Sequence, residues 1–241
     1  MKYFWIAWAR FKNALYLEYR YPLQALMNAI GFVLFIYLLS IGANFNNPNI
    51  SKSANIISVL TGLIAAFGLS HPLTTLGKSK FEIQEIYLQP ISRIKYILAS
   101  STFFFLQIIL TFIVYTYIIA LFLNAEIQIP SQFLFLSIAV YLSSLGLGLV
   151  LVSFRIVFQR MGALINFISL IFIGSAVAAN PTILRFIANY SAFARALLYI
   201  QTGELSLPWL WGLTFISLII GIISFAYSEK LMFKRALLAL D

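Results

Sequence analysis

The chain reads as an all-α membrane protein with six transmembrane helices, and three observations carry that reading. Of its 241 residues 62% are hydrophobic and only 10% are charged, with a mean hydropathy of +0.95, whereas soluble domains carry about 25% charged residues. Six stretches contain no Asp, Glu, Lys or Arg and approach the roughly 20 residues that an apolar helix needs to cross about 30 Å of hydrocarbon. The Lys and Arg residues gather in alternate connections, as they do in polytopic membrane proteins.

The expected spans are Pro22–Gly42, Asn55–Gly77, Ile97–Leu123, Phe133–Phe154, Met161–Ala179 and Pro208–Tyr227. Cytoplasmic loops accumulate Lys and Arg. One side collects Lys2, Arg10, Lys12 and Arg20 before the first span, Lys78, Lys80, Arg93 and Lys95 in the second connection, Arg155 and Arg160 in the fourth, and Lys230, Lys234 and Arg235 in the tail. The other side has Lys52, Arg185 and Arg195. Thirteen against three places both termini in the cytoplasm of a multi-pass protein of the cell, or inner, membrane. The net charge of +9 is then explained by juxtamembrane cations facing anionic lipid, without nucleic acid. The first twenty residues lack the small-residue cleavage site of a signal peptide. The absence of cysteine excludes disulfides and thiolate metal sites.

Residues 1–21 are expected to form an interfacial helix. At 100° per residue, Phe4, Trp8, Phe11, Leu15 and Tyr19 share one side and Lys2, Arg10, Asn13 and Arg20 the other. Trp5, Trp8 and the tyrosines suit the headgroup layer. Such a helix either anchors the first span or offers a contact surface. Residues 22–229 make up the six-span domain, and 230–241 are a cytoplasmic tail. On the second span Ser58, Gly62, Ala66 and Ser70 recur every fourth residue. Small residues on one stripe let helices approach closely in lipid, and packing within one chain and a seam between two chains both fit. Gly146 and Gly148 on the fourth span, and Gly174 with Ala178 on the fifth, permit similar contacts.

The connection after the second span, "GKSKFEIQEIYLQPISRIKY" from Gly77 to Tyr96, concentrates charge. Gly77, Lys78 and Ser79 imitate the end of a phosphate-binding loop. The leading glycine of that pattern falls on Pro72, however, and a membrane helix precedes it instead of a β-strand. The spacing instead predicts a short helix over about 78–90. Lys78, Glu82, Glu85 and Gln89 share one face, Ile83, Ile86 and Tyr87 line the opposite side, and Pro90 ends it. Ser92 can cap the helix that follows, beginning with Arg93 and Lys95. Its outward carboxylates form either a solvated face or one met by a partner, since carboxylates beside anionic lipid are otherwise unfavourable.

Between the last two spans, residues 181–207 are apolar and begin with Pro181. They are expected to form short helices on or in the outer leaflet, with Trp209 and Trp211 marking that interface. No catalytic, cofactor or metal motif is visible. His71, beside Pro72, is the single imidazole and reads as a packed or interface-facing neutral histidine at a helix kink. The spans hold no carboxylates or arginine ladder for proton or voltage coupling, so any energy enters from outside them.

The segment "EIYLQPISRIKYILAS", Glu85 to Ser100, resembles the membrane subunit of ABC-2 type exporters, the family of bacterial drug, polysaccharide and teichoic-acid export permeases. The family has a glutamate, a leucine-rich turn, a small residue and then Pro-(Ile/Val)-Ser-Arg at this place. "NPTILRFIANYSAFARALL", Asn180 to Leu198, is similar to the stretch after that family's fifth span. The family's Arg-Glu-Gly-Thr lead-in is replaced here by Lys78 to Gln84, and Gln89 stands where Ser or Thr is usual. The resemblance covers nearly the whole chain. It implies that the 78–90 helix docks on a cytoplasmic ATP-binding subunit, with ATP and Mg on that partner. Two such ATPases would pair with two permease chains, most simply a homodimer, and the N-terminal helix would be a second contact. It also implies an ATPase-coupling surface of Glu82, Glu85, Gln89, Pro90, Arg93 and Arg10, and an exit route lined by spans one, two and five, with the apolar outer helices near its mouth. Asn28, Phe32, Phe35, Asn166 and Ser169 are the expected pathway residues. An uncharged, aromatic interior points to an amphipathic or hydrophobic cargo, drug-like, lipid-linked or peptide. Alternatives are a polysaccharide or lipid-linked glycan permease, and a non-transporting scaffold that recruits a cytoplasmic protein.

Overall fold

A computed structural model describes residues 4–5, 8–9, 11–12, 16, 19–76, 92–124, 126, 132–158, 162–178, 180–204 and 206–238. All regular structure among them is α-helical. Uncharged apolar segments close every backbone hydrogen bond within themselves as helices, the requirement that hydrocarbon imposes. They form α1 (Pro22–Asn46), α2 (Lys52–Leu76), α3 (Arg93–Leu123), α4 (Phe133–Phe158), α5 (Gly162–Val177), α6 (Pro181–Ile187), α7 (Ala192–Thr202) and α8 (Leu207–Leu238). The described residues among the first twenty are also helical. The expected coupling helix at 78–90, with Glu82, Glu85, Gln89 and Pro90, lies outside the described residues, as do Arg10 and the last three residues of the tail.

Among the described residues, five helices are long and apolar enough to cross a membrane: α1, α2, α3, α4 and α8. The segment expected as the fifth span forms, among the described residues, a helix of 16 residues, roughly 24 Å at 1.5 Å per residue, short of about 30 Å. The cause is local. Asn180 accepts a hydrogen bond from the Thr182 amide at 2.9 Å, capping α6, and Pro181 fixes the first turn of that new helix. The expected segment between the last two spans thus contains two short helices, α6 and α7.

Polar contacts fix the helix directions. Asn55 Nδ2 donates to Asn44 Oδ1 at 2.9 Å, Lys52 Nζ donates to the Leu123 carbonyl at 3.1 Å, and Asn47 Nδ2 donates to the Val177 carbonyl at 3.3 Å. One end of the bundle therefore gathers the C-termini of α1, α3 and α5 and the N-terminus of α2. The opposite end, called here the basic end, holds the start of α3 and the late part of α8, where Arg93 meets Glu229. At the far end the three cations all have partners: Lys52 as above, Arg185 with Glu204, and Arg195 with the Ala188 carbonyl at 2.9 Å and Asn189 Oδ1 at 3.1 Å.

α2 is the centre, touching α1, α3, α4, α5 and α7, and 89% of its apolar window is buried. Glycines allow this. A β-carbon at Gly68 would lie 2.8 Å from the Tyr141 carbonyl oxygen, one at Gly148 would collide with the Leu69 carbonyl, and one at Gly62 would lie 2.6 Å from Ala176 Cβ. Of the two arrangements that fit the stripe on α2, Gly62 uses the one within the chain. α8 meets α4 in the same way: a β-carbon at Gly146 would lie 2.5 Å from the Ser217 carbonyl oxygen, and one at Gly221 would collide with the Gly146 carbonyl. Two hydroxyls bridge the same seam, Thr214 to the Ala139 carbonyl at 3.3 Å and Ser217 to the Ser143 carbonyl at 2.8 Å. Gly174, by contrast, meets nothing within 4 Å.

Candidate functional site

The basic end is where the sequence predicts contact with a partner. Ser92 sits at the N-cap of α3 in extended conformation without a side-chain capping bond, and the Tyr96 amide reaches the Ser92 carbonyl at 3.1 Å to close the first turn. The next residue, Arg93, turns inward. Its Nη1 donates to Glu229 Oε1 at 3.2 Å, and the two side chains are 9% and 20% exposed. A guanidinium withdrawn from water needs a carboxylate opposite it, because removing one partner leaves a charge buried without compensation. The expectation that Arg93 faces a partner protein therefore meets a different geometry, in which it ties the start of α3 to α8. Lys95 and Lys230 are exposed at the same end.

His71 lies deeper, on α2 beside Pro72. It is buried, stacks on the Phe104 ring at 4.6 Å between centroids, and shares hydrogen bonds with Ser100 Oγ at 3.1 Å and Thr75 Oγ1 at 3.2 Å. It joins α2 to α3, as the packed-histidine reading expects. Among the described residues no group of three His, Cys, Asp or Glu could hold a metal ion.

The N-terminal segment docks on the same helix. Phe4, Trp8 and Phe11 surround Phe103 of α3, with centroid distances of 4.9, 5.5 and 5.7 Å. The periodicity that puts these three rings on one side is thus used for packing. Arg20 lies 5.8 Å from the centroid of Tyr21 at the entry to α1.

Of the expected pathway residues, Phe32 stands in an aromatic cluster with Phe67, Phe112 and Tyr115 at 6.0, 6.0 and 5.8 Å. Phe35 is exposed beside it at 6.4 Å. Asn28 and Asn166 are exposed, and Ser169 is half-buried. The structure thus brings Phe32 and Phe35 together. α1 and α5 touch at the far end, where Gly42 approaches Val177.

The far end is covered by α7, whose Phe193, Ala196 and Leu197 are buried and whose Phe193 ring meets Phe172 of α5 edge-on at 4.9 Å. Tyr199 hydrogen-bonds Gln132. Trp209 donates Nε1 to the Asn189 carbonyl at 3.2 Å, while Ile183, Phe186 and Tyr190 remain exposed.

Sequence reasoning missed Glu229 and the partners of Gly146. Glu229 had a signal, being a lone acid beside Lys230, Lys234 and Arg235. Thr214, Ser217 and Gly221 follow helical spacing on α8 and match Ala139, Ser143 and Gly146 on α4. No family model, curated protein or solved structure matches the chain.

Proposed function

We propose that the chain is the permease subunit of an ATP-binding-cassette exporter. It carries an amphipathic or hydrophobic molecule out of the cytoplasm or inner leaflet on energy supplied by a separate ATPase. The observation that carries this is the basic end itself. The charged 77–91 segment enters α3 at Arg93, which is joined to α8, while the N-terminal aromatics settle on Phe103 of that same α3. Two cytoplasmic elements thus feed one helix, the arrangement that an external motor requires. The chain lacks nucleotide-binding and catalytic motifs, so ATP and Mg belong to the partner.

In this reading the segment expected as the fifth span, continued by α6 and α7, completes a six-span domain with both termini in the inner-membrane cytoplasm. Two permease chains pair with two ATPases. ATP-driven closure of the ATPases moves the 78–90 helices and switches the pathway beside α1 and α5 outward. Glu82, Glu85, Gln89, Pro90 and Arg10 form the docking surface. α6, with Phe186 and Tyr190, lies at the outer leaflet.

The test is co-purification with the neighbouring ATPase, followed by Glu82→Lys and Glu85→Lys. Loss of the complex, or of its permease-dependent ATP hydrolysis, is expected. An unchanged complex with unchanged hydrolysis removes the coupling assignment, and a complex with a partner that lacks ATPase activity favours the scaffold instead.

A further inference from the structure

Helical hydroxyls in this chain commonly satisfy themselves: Thr61, Ser70, Thr116 and Ser153 each donate to a carbonyl three or four residues back. Ser40 on α1 and Ser58 on α2 do not. Both are 0% exposed, and their Oγ atoms, like Oδ1 of Asn55, have no hydrogen-bond partner among the described residues. In hydrocarbon no water stands by to replace a missing partner, so each such oxygen costs free energy until something meets it. The three belong to one junction. Phe32 meets Phe67 and Asn44 bonds Asn55 in a single antiparallel register, which sets Ser40 opposite Val59 and so beside Ser58, one turn beyond Asn55. The Asn55 amide nitrogen is engaged by Asn44 Oδ1 at 2.9 Å and the Asn47 carbonyl at 3.3 Å, which leaves its oxygen to accept from elsewhere. α5 closes the third side: Asn47 Nδ2 donates to the Val177 carbonyl at 3.3 Å, and Gly62, one turn after Ser58, meets Ala176. Toward the basic end, about 12 Å along α1 from Ser40, Phe32 gathers Phe67, Phe112 and Tyr115.

We infer that this junction of α1, α2 and α5 is a binding site for an uncharged amphipathic molecule, whose hydroxyl or amide group meets Ser40, Asn55 and Ser58 and whose apolar body lies against the Phe32 cluster. Asn55 Oδ1 requires a donor, and either serine can donate or accept. A hydroxyl or an N–H amide answers all three, whereas an ether or ester leaves Asn55 unmet. A charged head fits poorly. Lys52, Arg185 and Arg195 at this end are engaged elsewhere, the contacts above include no ionisable group, and a charge placed here would be buried without compensation. Access is from the α1 side, where only 12% of the apolar window is buried. Calling the molecule cargo rests on the proposed function; the site is a property of this chain.

Tritiated 6-phenylhexan-1-ol carries an aromatic ring and a hydroxyl on one apolar chain. Its binding to the full chain in lipid nanodiscs, above that to nanodiscs without protein, tests the site, and saturable binding is expected. Ser40→Ala with Ser58→Ala should weaken it about tenfold, near what two hydrogen bonds contribute. The thermal unfolding midpoint of that double variant should stay or rise, because buried hydroxyls without partners have been removed. On the unaltered chain, 6-phenylhexylammonium should bind at least about tenfold more weakly than the alcohol. Absence of saturable alcohol binding overturns the site, as does binding that survives the double substitution or an ammonium that binds equally well. A midpoint that falls while alcohol binding is unchanged marks a structural water between the helices and overturns it too. No ATPase is present in these measurements. Absent binding therefore leaves the coupling test at Glu82 and Glu85 untouched, and failure of that test leaves the site standing.

Discussion

Between α4 and α8 the backbones touch at Gly146 and Gly221, whereas α1 meets its neighbours through side chains, the Phe32 cluster and the Asn44–Asn55 amide contact among them. Only 12% of the apolar window of α1 is buried, against 89% for α2, although α2 is the least apolar of the five long helices. In water that order would be reversed, because burial follows hydrophobicity. In hydrocarbon the lipid tails are as apolar as the helices, so small residues, close packing and interhelical hydrogen bonds decide which helices associate. The difference divides the chain into a block of α2, α4 and α8, locked at backbone level and joined by α5 where Gly62 meets Ala176 and the Phe172 carbonyl, and a flank, α1, that exposes Leu34 and Phe35.

The division can be broken most severely at its tightest crossing. Gly146→Val forces α4 from α8 and is expected to cost about 3 kcal/mol or more by overpacking, read as a large drop in the thermal unfolding midpoint in nanodiscs. Glu229→Ala comes next. A fully buried pair that loses one partner costs roughly 3–5 kcal/mol, and partial exposure of Glu229 brings the expectation to about 2 kcal/mol; unfolding in the same lipid with and without Arg93→Glu, Glu229→Arg measures it. Phe32→Ala removes ring contacts at the α1 side and is expected to cost about 1 kcal/mol, while leaving any α4–α8 cross-link efficiency unchanged. Thr214→Val deletes a hydroxyl bridge, with an expected loss of about 0.6 kcal/mol, near the average for interhelical hydrogen bonds in membranes. Gly174→Ala, at a site with open space around it, should stabilise by about 0.5 kcal/mol through helix propensity. Equal effects at positions 146 and 174 would erase the distinction between a backbone-level crossing and an open helix face.

Much of this architecture is legible in the sequence for a single physical reason. Spanning hydrocarbon requires long uncharged runs, so Pro22, Phe133 and Pro208 each open or nearly open an apolar helix. The expectation at Pro181 was likewise readable, because proline restricts the chain wherever it stands. The fifth segment came out shorter than its apolar run, since the Asn180 cap and Pro181 start a new helix within that region. What sequence could not convey was pairing between helices. Gly146 was recognisable as permitting close approach, but its partner Gly221 lies on a helix that could have faced any other. Arg93 was visible as part of a motif, yet its inward orientation depends on Glu229, 136 residues away. The N-terminal rings were legible as one face, and only the fold supplies Phe103 as what they cover.

In the proposed mechanism an external ATPase moves α1 against the locked block. Because the chain has no cysteine, paired spin labels at exposed positions can test it directly in the ATPase complex, with and without ATP and vanadate. Leu147→Cys with Ile220→Cys spans α4 and α8, and Leu34→Cys with Ile220→Cys spans α1 and α8. The first distance is expected to stay fixed and the second to change on trapping. A change between α4 and α8, or no change between α1 and α8 while the ATPase is trapped, would contradict it.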